Sequence, residues 1–182
     1  MTFLPPGLLW WFLVHPFVRF WRRLGHRVTL AVMGVLGVAG VAALLPFRGF
    51  LLGRDLGMSP LLVAVGAGLM VTSWAIALLR RRHLTTSILA GVPELEEGGS
   101  GGKLLTEGIY ARIRHPRYVE VALGTLAWAC FANFVGVWVV ALGTLPVLHL
   151  IVVLEERELS DRFGAEYEAW RASVPRYLPR RP

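Results

Sequence analysis

Apolar residues in this chain come in long unbroken runs. Val28 to Phe47 is 20 residues without a charge, and Pro60 to Leu79 is a second such run. Each matches the ~20 residues that a helix needs to cross a hydrocarbon core, so both are predicted to span a bilayer. A third apolar stretch, Phe3 to Trp21, is interrupted by Pro5, Pro6, His15 and Pro16, and proline removes backbone donors from a helix. It reads as a full span, a kinked span or an interfacial segment. Trp10, Trp11 and Trp21 at its ends suit an aromatic belt, which favours five spans in all over four.

Tyr118 to Leu154 is 37 residues of almost wholly apolar chain, too long for one span and short for two with a generous loop. A tight turn near Ala132-Asn133 resolves this, because asparagine tolerates turn conformations. The prediction is a hairpin of one helix to about Phe131 and a second from about Phe134 to Leu154. Beyond it, Leu159, Phe163, Tyr167 and Trp170 recur at helical spacing and predict a short amphipathic helix. The expected fold class is all-α, a multi-pass transmembrane bundle. Its divisions are N-terminal spans over 1–79, a loop over 80–107, and a C-terminal module of hairpin and tail over 108–182.

Composition agrees with the pattern. The chain is 55% hydrophobic and 17% charged, where soluble domains run near 45–50% and 25%, and its mean hydropathy is +0.56. The net charge of +7 does not indicate a nucleic-acid partner, because the cations sit at the span ends and not along one soluble face. Arg22, Arg23 and Arg27 precede one span, Arg80, Arg81 and Arg82 follow the next, and Arg112, Arg114 and Arg117 precede the hairpin, against Arg48 and Arg54 in the opposite loop. The positive-inside rule places the three larger groups in the cytosol, and the expected location is a bacterial cytoplasmic membrane. The single cysteine, Cys130, excludes an intrachain disulfide, and no metal site is expected. No cleavable signal is expected, since Arg19 follows the apolar stretch. The glycine run before Lys103 fails the phosphate-loop spacing and reads as a linker.

Two polar clusters flank the hairpin: Gly108 to Tyr118 on one side, and Glu155-Glu156-Arg157-Glu158 on the other. Folding the segment back on itself brings both to the same membrane face. Carboxylates at the end of a membrane helix are costly to desolvate unless paired or used. Successive residues lie about 100° apart on a helix, so Glu155 and Glu156 are not expected to face one pocket together.

The ordered set Gly108-x-Tyr110, Arg114-His115-Pro116-x-Tyr118, Glu155-Glu156, Phe163-Gly164-x-Glu166-Tyr167 and Val174-Pro175-Arg176 with Pro179 resembles the isoprenylcysteine carboxyl methyltransferase family. More loosely it is similar to the membrane phospholipid methyltransferases. The resemblance covers roughly Leu104 to Pro179. It implies S-adenosyl-L-methionine as methyl donor and a lipophilic acceptor entering from the bilayer, most simply the carboxylate of an isoprenylcysteine-like molecule. The other partners it implies are membrane lipids.

The same resemblance assigns the donor site to Lys103, Leu104, Leu105, Tyr110, His115, Pro116, Arg117, Tyr118 and Glu155, with Glu156 in support. Tyr110 and Tyr118 would offer aromatic faces to a sulfonium, and Pro116 disfavours helix at His115, so the bend can expose backbone groups. Arg114 and Glu120 are the candidates on the acceptor side. Arg114, with Arg117, could steer a carboxylate, whereas Glu120 could pair with either arginine or face the substrate. Two positions depart from the family: Glu120 replaces a common glycine, and Ile151 stands where prenylcysteine enzymes carry an arginine, with His149 near but not equivalent. A carboxylate acceptor needs no base, whereas an amine does, which separates O-methylation from lipid-amine N-methylation. A non-catalytic membrane protein keeping a donor-like pocket and a membrane reductase are rivals from other classes.

Overall fold

A computed structural model of the chain describes residues 18–81 and 104–179. Most of the Phe3–Trp21 stretch, the linker before Lys103 and Lys103 itself lie outside the described residues. Among the described residues the secondary structure is helical, apart from an isolated bridge between Asp55 and Phe134. Among these described residues, three helical stretches are long and apolar enough to cross a membrane: Arg27–Leu52, Pro60–Arg81 and Val135–Phe163.

The described residues divide into two compact units, 18–51 on the one hand and 52–81 with 104–179 on the other. In the first, α1 (Val18–Leu24) turns at Gly25 into α2 (His26–Leu44). Gly25 holds φ 79°, and Thr29, fully buried, donates its hydroxyl to the Gly25 carbonyl at 2.9 Å. A 3-10 turn over Leu45–Phe47 follows, and then α3 (Arg48–Leu52).

The second unit holds the hairpin. Helix α4 (Pro60–Arg81) packs along α5 (Pro116–Ala132), and α5 packs on α6 (Val135–Phe163). Small residues let α4 and α5 approach closely. A Cβ built at Gly66 would lie 2.8 Å from the Phe131 ring and 2.9 Å from the Cys130 Cβ, so glycine is required there. At the expected turn Asn133 is left-handed, with φ 45°. Its side chain donates to the Gly57 carbonyl at 2.6 Å and accepts from the Trp138 indole at 3.0 Å. Backbone bonds from Leu56 N–H to Asn133 O and from Val135 N–H to Arg54 O, both 3.0 Å, tie the loop before α4 across the turn.

The tail differs from expectation. Helix α6 runs on past Leu154 to Phe163, and Gly164, at φ 54°, ends it and turns the chain into α7 (Ala165–Ser173). Leu159 and Phe163 therefore belong to α6, whereas Tyr167 and Trp170 belong to α7. Left-handed backbone is open to glycine without steric cost, and the 3.6-residue spacing passes through the break unchanged.

Candidate active site

The site forms where the bend before α5 meets the polar end of α6 and the segment after α7. Pro116 begins α5, and His115, in non-helical backbone before it (φ −123°, ψ 57°), is held from behind. Arg114 N–H donates to the Pro175 carbonyl at 2.9 Å, and His115 N–H to the Arg176 carbonyl at 3.2 Å. Two buried donors that no helix could satisfy are thus paired, and the Val174-Pro175-Arg176 segment is fixed against the bend.

Glu156 is the centre of this arrangement. It is 4% exposed; its Oε1 meets Arg114 Nη2 at 2.9 Å, His115 Nε2 at 3.0 Å and Arg176 Nε at 3.0 Å, and its Oε2 accepts from Arg176 Nη2. Arg114 also donates to the Arg171 carbonyl at 2.8 Å. The hydrogen bond to Glu156 holds the Arg176 guanidinium above its ordinary range. Tyr167 of α7, fully buried, closes the cluster from the tail side; burial first, and then the Glu156 charge, push its phenol up to about 12.

Glu155 is different. One residue earlier, it is one-third exposed, and its Oε2 lies 3.6 Å from His115 Nδ1. That oxygen is buried and has no hydrogen-bond partner among the described residues. The His115 ring meets Tyr118 edge-on at 5.8 Å and Tyr177 at 6.5 Å. Tyr110, in a 3-10 turn over Gly108–Ala111 that packs against α4, is pushed up to about 12 by burial and feels the charges of Arg80, Glu155, Arg117 and Glu120. It stays a neutral phenol at physiological pH. A carboxylate oxygen with unused capacity, set among aromatic rings, suits an organic cation, for which each aromatic face contributes about 0.5–2 kcal/mol.

The residues singled out from the sequence are distributed as follows. Arg114, His115, Pro116, Glu155 and Glu156 come together, with Tyr118 at the His115 ring and Tyr110 near Glu155. Leu104 is buried and Leu105 half-buried, whereas Arg117 is exposed. Glu120 pairs with neither Arg114 nor Arg117. It takes a two-point contact from Arg80 of α4, at 2.9 and 3.2 Å, while its backbone carbonyl accepts from Ser73 at 2.9 Å. An acid on an apolar helix demands a cation, and the nearest in space is 40 residues away in sequence. Arg80, Arg176 and Tyr177 also join this arrangement, and nothing in the sequence reasoning singled them out as candidates. The motif containing Arg176 was the available signal.

A cavity of about 270 Å³ opens beside Tyr118 between α5 and α6, and a polar one of about 250 Å³ lies on the Glu156 and Arg176 side. The family described as Phospholipid methyltransferase matches residues 61–166, more than half of the chain. Among curated proteins, Protein-S-isoprenylcysteine O-methyltransferase of Schizosaccharomyces pombe is 36% identical over 81 residues, 42% of this chain and 33% of that protein. Methanethiol S-methyltransferase 2 of Bradyrhizobium diazoefficiens is 33% identical over 81 residues, 44% of this chain and 30% of that protein. The chain thus spans about a third of the length of the curated relatives it matches. No solved structure matches it.

Proposed function

This chain belongs to the phospholipid methyltransferase family, and we propose that it is an integral membrane methyltransferase that uses S-adenosylmethionine to methylate a lipophilic acceptor reaching it from the bilayer. The observation that carries the reading is the contrast between adjacent acids. Glu156 has both oxygens engaged by protein cations, while Glu155 keeps a buried oxygen that receives no hydrogen bond among the described residues, 3.6 Å from the His115 ring nitrogen. Burying such an oxygen without a partner costs about 1–3 kcal/mol, which a bound cationic donor would offset. S-adenosylmethionine fits, and it supplies an electrophilic methyl carbon when bound.

The residues divide the work. Glu155 opposes the donor's positive charge, Tyr110, Tyr118 and His115 give it aromatic walls, and Leu104 with Leu105 add apolar surface. Arg114, Glu156 and Arg176 fix the bend so that those groups stay in place. With the arginine clusters on the cytosolic side, the site faces the cytosol.

Carboxyl O-methylation of an isoprenylcysteine-like molecule is the reaction that the first relative's name suggests, and it calls for a cation beside the acceptor. Ile151 is 3% exposed in the core of α6, and no cation lines the apolar cavity among the described residues. That observation favours a second reading, methylation of a neutral acceptor at sulfur, which the other relative's name suggests. The test is calorimetry with S-adenosylmethionine on the detergent-solubilised chain, followed by incubation with labelled donor and fractionated membranes. Donor binding with transfer of label to an extractable lipophile is expected. Binding without turnover on any fraction would leave a non-catalytic pocket, and binding of a nicotinamide nucleotide instead would mark a reductase.

A further inference from the structure

Tyr118 belongs to two places at once. Its ring meets His115 in the cluster with Glu155 and Glu156, and it also lines the cavity of about 270 Å³ between α5 and α6. Leu123, Leu145 and Leu148 help to make that cavity apolar. Apart from Tyr118, its polar groups are His149 of α6 and Tyr177 of the segment after α7. These two are joined by a 2.8 Å hydrogen bond between His149 Nδ1 and the Tyr177 hydroxyl. The Tyr177 ring lies 6.0 Å from His149 and 6.5 Å from His115, so it bridges the cavity and the acid cluster.

These walls discriminate between nucleophiles. A carboxylate or an ammonium seated there would give up part of its water with no opposite charge in the lining to meet it, which costs more than seating a neutral group. A thiol enters uncharged and loses little on burial. It becomes a strong nucleophile only as the thiolate, so it needs one thing from the site, a proton acceptor. A cavity below the ~300–1,000 Å³ of drug-sized sites also favours a small molecule.

We propose that His149 is that proton acceptor and that the methyl acceptor is a small apolar thiol, an assignment that rests on the methyl-transfer reading above. In the tautomer whose Nδ1–H donates to the Tyr177 oxygen, His149 Nε2 carries the lone pair and takes the thiol proton. The acceptor sulfur forms a bond to the methyl carbon as the bond from that carbon to the donor's sulfonium sulfur breaks, its electron pair staying on what becomes a neutral thioether. The positive charge passes from sulfonium to imidazolium, which returns its proton to water. Tyr177 is a positioning residue that fixes the tautomer and the ring. The titratable groups facing His149 are Tyr118 from α5 and Tyr177 from the tail segment, and no lining residue carries a fixed charge.

The test uses the full chain in detergent with S-adenosylmethionine, offering hexanethiol and an S-farnesylcysteine in parallel, with products read by mass spectrometry and donor affinity by calorimetry. Hexanethiol is expected to give methyl hexyl sulfide faster than the prenylcysteine gives its methyl ester. His149→Gln should lower kcat/KM for the thiol by about 10²–10⁴ at neutral pH, the usual worth of a general base, with donor affinity unchanged. The residual rate of that variant should follow the thiolate fraction, climbing about tenfold per pH unit, where the parent chain is flatter. Tyr177→Phe should lower kcat more than it changes KM and should shift the same profile. Donor binding with ester but no sulfide formed would overturn the proposal, as would a His149→Gln chain with the parent's rate and profile. Absence of donor binding by the parent chain would instead overturn the methyl-transfer reading, and this assignment with it.

Discussion

Glu155 and Glu156 are neighbours whose replacement by glutamine should fail in opposite ways. The Glu156 side chain is 5% exposed and receives Arg114, His115 and Arg176. Glutamine keeps one acceptor but places an amide donor where Arg176 Nη2 donates. Removing one partner of a buried ion pair typically costs about 3–5 kcal/mol. Arg176 is 31% exposed at its side chain and can turn to water, so Glu156→Gln is expected at the low end, about 3 kcal/mol. That is a large share of the ~5–15 kcal/mol that holds a folded domain together. Glu155 is 34% exposed, and its contact in this cluster is His115 Nδ1 at 3.6 Å with no arginine on it, so Glu155→Gln should change stability by less than about 1 kcal/mol. It should instead weaken donor binding by about 1.5–3 kcal/mol, the scale of a charge-assisted hydrogen bond, or about 10- to 150-fold in Kd. Unfolding in mixed micelles of rising dodecyl sulfate content, followed by tryptophan fluorescence, measures the first quantity. Calorimetry with S-adenosylmethionine on the same preparations measures the second. If Glu156→Gln lost donor affinity at unchanged stability while Glu155→Gln did the reverse, the assignment of the two acids would be wrong.

Three further expectations concern the frame that carries the site. Gly66→Ala should destabilise the α4–α5 contact by about 1–3 kcal/mol through overpacking, whereas Gly68→Ala, whose Cβ meets nothing within 4 Å, should be neutral or slightly stabilising; the same micelle titration compares them. Arg80→Leu and Glu120→Leu should each cost about 3 kcal/mol by stranding a charge, and the double variant should cost less than either, as replaced buried ion pairs often do; additive losses in that double-mutant cycle would refute the pairing. With Cys130→Ser as background, Ala165→Cys should react with a membrane-impermeant maleimide only from the cytosolic side, and labelling confined to the exterior would reverse the orientation.

The parts of the fold legible in the sequence are those set by local chemistry. Two charge-free runs announced α2 and α4, and an apolar stretch too long for one span and too short for two with a loop forced a turn, which fell at Asn133. The break at Gly164 was hidden, because the apolar spacing from Leu159 to Trp170 continues through it. Long-range pairing was hidden for a different reason. Glu120 visibly needed a cation, but the choice of Arg80 over Arg114 depends on how α4 lies along α5. Likewise the divergence of Glu155 and Glu156 follows from helical rotation, whereas Arg176 as the clamp on Glu156 depends on the Gly164 turn that brings the tail back.

The fastening of the Val174-Pro175-Arg176 segment onto the His115 bend imposes an order in time. Arg114 and His115 are synthesised well before Glu156, but Arg176 follows it by 20 residues, about 1–4 s at 5–20 residues per second. Helices and their local contacts form within microseconds, so the hairpin's own contacts do not wait on the tail, and Glu156 receives its strongest partner last. The tail segment is therefore the bolt that arrives after the door has been hung. A chain interrupted between Ser173 and Arg176 would enter the membrane with its hairpin in place, and the bend that presents His115 would remain unfastened.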